Sequence, residues 1–180
     1  MSFGMMCQRT CSFFPVNMKD KIKLLFVCLG NICRSPAAHG IMQEFVDREG
    51  LTDRIYVDSA GVAGWHIGEL PDRRMRSHAA DRGYALMHRG RQFDAKTDFS
   101  AFDLILVMDE ENYSDITHQA HNETERLKVH YLAEYMQHHR GQHVIPDPYY
   151  GGADHFESVI DLIEDACQGL LNAIQDGTIS

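Results

Sequence analysis

The sequence predicts an α/β fold in which helices cover both faces of a parallel sheet. Short apolar segments alternate along the chain with segments of helical spacing, and this alternation is typical of parallel sheets. The last segment carries a wide apolar face from Phe156 to Ile174, which predicts a long amphipathic helix. A length of 180 residues favours one domain with a sizeable core.

The first strand and the first helix are predicted near the N-terminal end of this pattern. Residues 22–27 form a short apolar segment with β-branched and aromatic side chains, as buried strands do. Apolar residues return at helical spacing over 36–46, with Ser35 as the predicted N-cap and Pro36 at the first helical position. Gly50 predicts the end of this helix.

The later elements continue the alternation of strands and helices. Gly83 predicts the end of one helix, and Asp109 is the predicted N-cap of another. The loop at 147–152 contains proline and two glycines. In chain order, the remaining predictions are a strand at 54–60, a helix at 71–82, a strand at 102–108, a helix at 110–118, a strand at 128–132 and the final helix.

The charge balance excludes some classes of function. Lys and Arg number 17 and Asp and Glu number 26, so the net charge is 17 − 26 = −9. This charge argues against broad electrostatic binding to nucleic acid or to an anionic membrane. The apolar segments are also too short to span a bilayer. An anionic ligand would therefore need a local positive site.

The ends of the chain and its cysteines suggest organisation and compartment. Residues 1–20 lack the hydrophobic core of a secretion signal, so we expect a weakly ordered N-terminal extension followed by a single domain over 21–180. The five cysteines are odd in number and show neither a disulfide framework nor zinc spacing. This usage predicts a reducing, cytoplasmic compartment.

The string Val-Cys-Leu-Gly-Asn-Ile-Cys-Arg-Ser-Pro joins the first strand to the first helix. Backbone N–H groups of such a loop and the helix N-terminus favour an anion, and Arg34 can bind two of its oxygens. Cys28, at the floor of this loop, is the predicted nucleophile because these surroundings favour the thiolate. The residues predicted to surround a bound phosphate are Leu29, Gly30, Asn31, Ile32, Cys33 and Ser35.

A second chemical segment is the Asp-Pro-Tyr-Tyr sequence at 147–150. Hydrolysis of a phosphate monoester needs a proton for the leaving oxygen, and a carboxylic acid beside the site can supply it. Asp147 is the predicted acid. Tyr149 and Tyr150 are predicted apolar walls for an aromatic substrate.

The cysteine loop and the Asp-Pro-Tyr-Tyr-Gly segment both resemble the low-molecular-weight protein tyrosine phosphatases. The resemblance runs through most of 22–176 and includes Asp-Ser-Ala-Gly at 58–61 and Met-Asp-Glu at 108–110. It implies a three-layer, flavodoxin-like fold with a four-stranded parallel sheet flanked by helices. It also implies hydrolysis of phosphotyrosine and small aryl phosphates through a cysteinyl-phosphate, with no cofactor or metal. The resemblance further implies that tyrosine-phosphorylated proteins are the partners and that phosphate is both product and inhibitor. The expected oligomeric state is a monomer or a weak dimer.

The resemblance also implies roles for individual residues. Cys28 matches the nucleophile, Arg34 the phosphate clamp and Asp147 the acid. Ser35 matches the hydroxyl that steadies the thiolate, and Trp65 matches an aromatic wall. Asn31 matches the residue that stabilises the loop, with Ser59 and His88 as its supporting partners.

One residue departs from the family pattern, because the family often has glutamate where this chain has His39. That carboxylate usually joins the network behind the loop. Two interpretations stay open: His39 substitutes as a hydrogen-bonding group, or the network differs.

Two other functions fit parts of the pattern. A thiol-dependent arsenate reductase shares the fold, but its relay needs cysteines in the middle of the chain, and none lies between Cys33 and Cys167. A non-catalytic phosphoprotein-binding module would keep Arg34 but would not need both Cys28 and Asp147.

The two cysteines of the loop predict redox sensitivity. The loop must curl around one small anion, so its two ends approach each other. Cys28 and Cys33 are therefore predicted to form a reversible, inactivating disulfide.

Overall fold

Four parallel strands form one sheet in a computed structural model that describes residues 21–179. The strands are β1 (Ile22–Cys28), β2 (Ile55–Gly61), β3 (Leu104–Val107) and β4 (Val129–Tyr131), and they lie in the order β2-β1-β3-β4. The helices are α1 (Arg34–Arg48), α2 (Arg73–Asp81), α3 (Asp98–Ala101), α4 (Glu110–His118), α5 (Glu123–Arg126) and α6 (Ala153–Gln175). This architecture confirms the predicted flavodoxin-like α/β fold.

The two faces of the sheet pack against different helices. Leu24 and Phe26 of β1 belong to the core that includes α1 and α6, while Leu25 and Val27 pack with aromatic residues that flank α3. All four side chains are completely buried. Burial on both faces explains why the strand segments are continuously apolar rather than alternating.

The register brings the carboxyl end of β1 to the place where the site forms. Cys28 pairs with Gly61 on one side, and Val27 pairs with Val107 on the other. The chain reverses its direction of strand addition at β1, because β2 lies on one side of it and β3 on the other. Ligands in such sheets bind beyond the strand ends at this switch point.

Some predicted boundaries were wrong. Helix α1 begins at Arg34 after the N-cap Cys33, so Ser35 is not its cap. The Ser35 hydroxyl lies against Cys28 and Ala60 instead of the free N–H groups of the helix. Helices α3 and α5 and a 3-10 turn at Leu132–Tyr135 were not predicted, because four residues are too few to show a period.

The predicted extension at residues 1–20 lies outside the described residues. Within 21–179, no helix combines the length and apolar character needed to cross a membrane.

Replacing Gly169 with alanine should destabilise the fold. An added Cβ would lie 1.8 Å from the carbonyl oxygen of Tyr135, so α6 must move away from the 3-10 turn. We expect a loss of about 1–3 kcal/mol in the free energy of unfolding, measured by urea denaturation. Gly141→Ala is the matched control, because its Cβ would meet nothing within 4 Å. Equal stability of both variants would contradict the packing of α6 described here.

Candidate active site

The loop between β1 and α1 is held by the buried side chain of Asn31. Among residues 21–179, Asn31 is the one residue other than glycine with a positive φ, at 55°. Its Nδ2 donates to Ser35 Oγ at 2.8 Å and to Ser59 Oγ at 3.1 Å, and its Oδ1 accepts from the Arg91 backbone N–H at 3.0 Å. These bonds offset the cost of a left-handed backbone, so the loop shape is fixed before any ligand binds.

Cys28 lies at the floor of the loop with its side chain almost completely buried. Its Sγ is 3.0 Å from the Oγ of Ser35, whose oxygen already accepts a hydrogen bond from Asn31. The Ser35 proton is therefore free to be donated either to the sulfur or to the carbonyl of Ala60, which is 3.2 Å away. A hydroxyl donor at this distance stabilises a thiolate whenever one forms.

Arg34 is buried under the loop and is held by groups from two other segments. One terminal nitrogen donates to Asp109 Oδ2 at 2.5 Å and to the carbonyl of Ile145 at 3.0 Å. The other lies 3.3 Å from Asp147 Oδ2. Burial disfavours the charge, but Cys28 and the two carboxylates outweigh it and raise the pKa of Arg34. The Arg34 guanidinium is thus held in place beside the crevice that the Cys28 side chain also lines.

Asp109 is a site residue for which the sequence predicts only a helix cap. One of its oxygens does cap α4, accepting from the Asn112 backbone N–H at 2.8 Å. The other oxygen holds Arg34. The sequence did contain a signal for this role, because Asp109 follows closely after the buried segment that forms β3. Since β3 lies beside β1 in the parallel sheet, residues that follow the two strands lie at the same edge.

A crevice of about 190 Å³ opens above Cys28. Trp65 and Tyr150 form its outer walls and are 70% and 97% exposed. Tyr149 also lines it, and so does His66, which was not predicted and whose Nδ1 pairs with Glu69 at 2.8 Å. The crevice contains the predicted loop residues Leu29, Gly30, Ile32, Cys33 and Arg34 together with Asp147.

The network behind the loop differs in part from the predicted one. Asn31 contacts Ser35 and Ser59, but His88 lies farther back, with its Nδ1 3.6 Å from Asp58 Oδ1. His39 takes part directly, since its Nδ1 is 3.3 Å from Ser59 Oγ. Burial and, to a lesser extent, His88 lower the pKa of His39 to about 4. A neutral His39 therefore supports the interpretation in which it substitutes as a hydrogen-bonding group.

The two other described cysteines are buried thiols. Burial and the charge of Asp72 raise the pKa of Cys33 well above its usual range, which disfavours a thiolate there. Cys167 lies on the inner face of α6 and is completely buried.

Comparison with known proteins identifies related phosphatases over most of the chain. Residues 23–178 match the model of the low molecular weight phosphotyrosine protein phosphatase family. A Synechocystis relative that carries the low molecular weight protein-tyrosine-phosphatase name is 50% identical over 153 residues, covering 85% of this chain and 96% of the relative.

Two solved structures are similar throughout the fold. A protein tyrosine phosphatase from Entamoeba histolytica has a TM-score of 0.84 and 38% identity, covering 88% of this chain and all of that one. A Drosophila arginine phosphatase has a TM-score of 0.79 and 32% identity, covering 86% of this chain and 98% of that one. With the family model matched over nearly the whole described chain, this protein belongs to the low molecular weight phosphotyrosine protein phosphatase family.

Proposed function

We propose that this phosphatase hydrolyses phosphotyrosine in proteins with Cys28, Arg34 and Asp147 as its catalytic residues. The observation that carries the proposal is that one aromatic-walled crevice contains the Cys28 sulfur, the Arg34 guanidinium and the Asp147 carboxylate. These groups come from β1, α1 and a loop more than a hundred residues away, so their convergence is a property of the fold.

In the first step, the Cys28 thiolate attacks phosphorus in line with the ester oxygen. A sulfur–phosphorus bond forms, the ester bond breaks, and the Asp147 carboxylic acid donates its proton to the leaving phenolate. Arg34 and the loop N–H groups stabilise the equatorial oxygens of the transferring group. Asp109 keeps the Arg34 fork in position through its hydrogen bond.

In the second step, water releases phosphate from Cys28. Asp147, now a carboxylate, takes a proton from the attacking water, and the thiolate is restored as the leaving group. The phosphate product occupies the same loop and therefore acts as an inhibitor. Because the mechanism needs a reduced thiol, we place the enzyme in the cytoplasm.

The substrate class is tested by comparing three phosphopeptides of otherwise identical sequence. A phosphotyrosyl peptide should be turned over far faster than a phosphoseryl one, because a phenyl ring could lie between Trp65 and the two tyrosines that line the crevice while its phosphate reaches Cys28. A phosphoarginyl peptide is the third arm, since one structural relative is an arginine phosphatase. Preference for phosphoserine or phosphoarginine would overturn the proposed substrate.

The two alternative functions have direct tests. Thiol-coupled reduction of arsenate would indicate the reductase, and binding of phosphoproteins without turnover of an aryl phosphate would indicate a binding module. The crevice holds both Cys28 and Asp147, and this favours the enzyme over the module.

Replacing Arg34 with lysine should strongly reduce turnover although the charge is kept. A lysine ammonium is a point charge and cannot bind two phosphate oxygens in parallel while also reaching Asp109. We expect a fall in kcat/KM of about 10²–10³, measured with an aryl phosphate. Arg74→Lys is the control, since Arg74 is also near the crevice but pairs with Asp72. Activity retained by Arg34→Lys would show that Arg34 acts only through charge, and similar losses in both variants would show that the effect is not specific to Arg34.

The proposed Cys28–Cys33 disulfide is tested by peroxide treatment followed by a dithiol. Peroxide would convert the Cys28 thiolate to a sulfenic acid, and the Cys33 thiol would then displace hydroxide, released as water, to form the disulfide. Both thiols line the same crevice. After peroxide, the intact mass of wild type should be lower by two hydrogens, and the dithiol should then restore its activity. Cys33→Ala should recover less activity and accumulate sulfinic or sulfonic acid. Equal recovery without a disulfide would contradict this device.

A further inference from the structure

Behind the loop, on the side away from the crevice, His39, Asp58 and His88 form a compact cluster. One nitrogen or oxygen atom from each lies within 4.8 Å of the others. The two imidazole rings have centroids 4.8 Å apart, and His88 Nδ1 is 3.6 Å from Asp58 Oδ1. The residues that line the crevice at Cys28 are different ones. The cluster is therefore a candidate site separate from the crevice, and none of its residues carries out a chemical step of the proposed mechanism.

One atom of the cluster lacks a partner. The Nε2 atom of His88 is buried and has no hydrogen-bond partner among the described residues. Buried polar atoms in folded proteins are almost always paired, so the unpaired Nε2 is the His88 nitrogen available to a ligand, whereas Nδ1 faces Asp58. Imidazole nitrogen is the commonest protein ligand for transition metals.

The charges around the cluster favour a cation. His39 and His88 line a groove of about 300 Å³ whose charged lining residues are Glu44 and Asp47. Both are acidic and would attract a positive ion into the groove. Burial lowers the pKa of both histidines, which leaves their nitrogens with lone pairs to donate.

Arg91 is a neighbouring positive group that opposes a cation at this cluster. It contacts Asp58 through Oδ2 at 3.0 Å and also pairs with Asp98 at 3.0 Å, so its charge is shared between two carboxylates. The other oxygen of Asp58, Oδ1, lies 3.6 Å from His88 Nδ1 and accepts a hydrogen bond from the Ser59 backbone N–H at 2.8 Å. Arg91 thus positions Asp58 through Oδ2, and Oδ1 keeps a second lone pair for a metal beside its bond to Ser59.

We propose that His39, His88 and Asp58 bind one zinc-like transition-metal ion. Two nitrogens and one carboxylate oxygen suit zinc, whereas magnesium and calcium prefer oxygen ligands alone. The three ligand atoms lie within 4.8 Å of one another. Metal–ligand bonds of about 2.0–2.1 Å require these atoms to be about 3.3 Å apart, and rotation of the side chains can bring them that close. Water from the groove would complete a tetrahedron.

The position of the cluster separates this site from metal binding at the active cysteine. His39 contacts Ser59, and Ser59 contacts Asn31, so an ion here would act on the loop from behind. Phosphate and zinc should therefore bind to the same molecule together. Zinc held by the Cys28 sulfur would instead compete with phosphate.

The test is a calorimetric titration of the full-length Cys28→Ser protein with zinc chloride. We expect one zinc per chain at this site, with saturating phosphate leaving the stoichiometry unchanged. His39→Gln and His88→Gln, made in the same background, should each weaken binding by at least about tenfold. His118→Gln is the control, because His118 lies on α4 outside the cluster, and it should bind zinc as the parent does.

Cobalt supplies a spectroscopic test that needs no further variant. Cobalt at two imidazoles, a carboxylate and water should give the visible absorption of a tetrahedral ion without a thiolate-to-metal band. Three results would overturn the proposal: no binding, a thiolate band such as Cys7, Cys11 or Cys33 would produce, or zinc affinity that survives both histidine substitutions.

Discussion

Replacing Cys28 with serine should abolish turnover of an aryl phosphate while preserving phosphate binding. A serine hydroxyl ionises far less readily than a thiol, so at the floor of the loop beside Ser35 it would stay neutral and be a weak nucleophile. The anion site formed by Arg34 and the loop N–H groups would stay intact. We expect kcat/KM to fall by at least about 10⁴, as for loss of a nucleophile in other enzymes.

Cys33→Ser is the matched control for this experiment. Cys33 lies in the same crevice, but burial and Asp72 raise its pKa, so it is a poor nucleophile. This variant should retain substantial activity. Phosphate binding is measured by calorimetry in both proteins. Wild-type turnover by Cys28→Ser, or equal losses in the two variants, would contradict the assignment of the nucleophile.

Replacing Asp147 with asparagine should slow hydrolysis most for substrates with poor leaving groups. Asparagine keeps the size of the side chain but cannot donate the proton that a phenolate or tyrosinate needs. For phenyl phosphate we expect kcat to fall by about 10²–10⁴. For an ester of a very acidic phenol the fall should be much smaller, because the leaving group needs little protonation.

The control for Asp147→Asn is Asp154→Asn, in the first turn of α6. Asp154 also follows the loop that carries Asp147, but it does not line the crevice. Replacing Asp154 should leave the rate of hydrolysis unchanged for both substrates. An equal loss for good and poor leaving groups in Asp147→Asn would point to a positioning role, such as the 3.3 Å contact with Arg34.

The strands and the long helices were predictable because each has a local cause. Apolar side chains of β1 and β3 are buried on both faces, and Asp109 and Gly83 lie where helices begin and end. The boundary of α1 was missed because Ser35 is used by Cys28 rather than by the helix end. A side chain with two possible partners cannot be assigned from local sequence.

The contacts that complete the site are long-range, and sequence spacing does not report them. Asp109 is 75 residues from Arg34 along the chain, and the contact depends on the β1–β3 register. His39 and His88 meet only because α1 and the segment after α2 pack together. By contrast, Cys28 and Arg34 lie at the two ends of one short loop, so their proximity followed from the motif itself.

The most direct test of the account is to capture the phosphoenzyme. Asp147→Asn is mixed with an aryl phosphate that has a very acidic leaving group, so that the first step proceeds while release of phosphate is slow for lack of a base. Acid quenching and peptide mapping by mass should then locate one phosphate on Cys28. Phosphate on Cys33 or another residue, or leaving-group release with no phosphoenzyme at any time, would contradict the central claim.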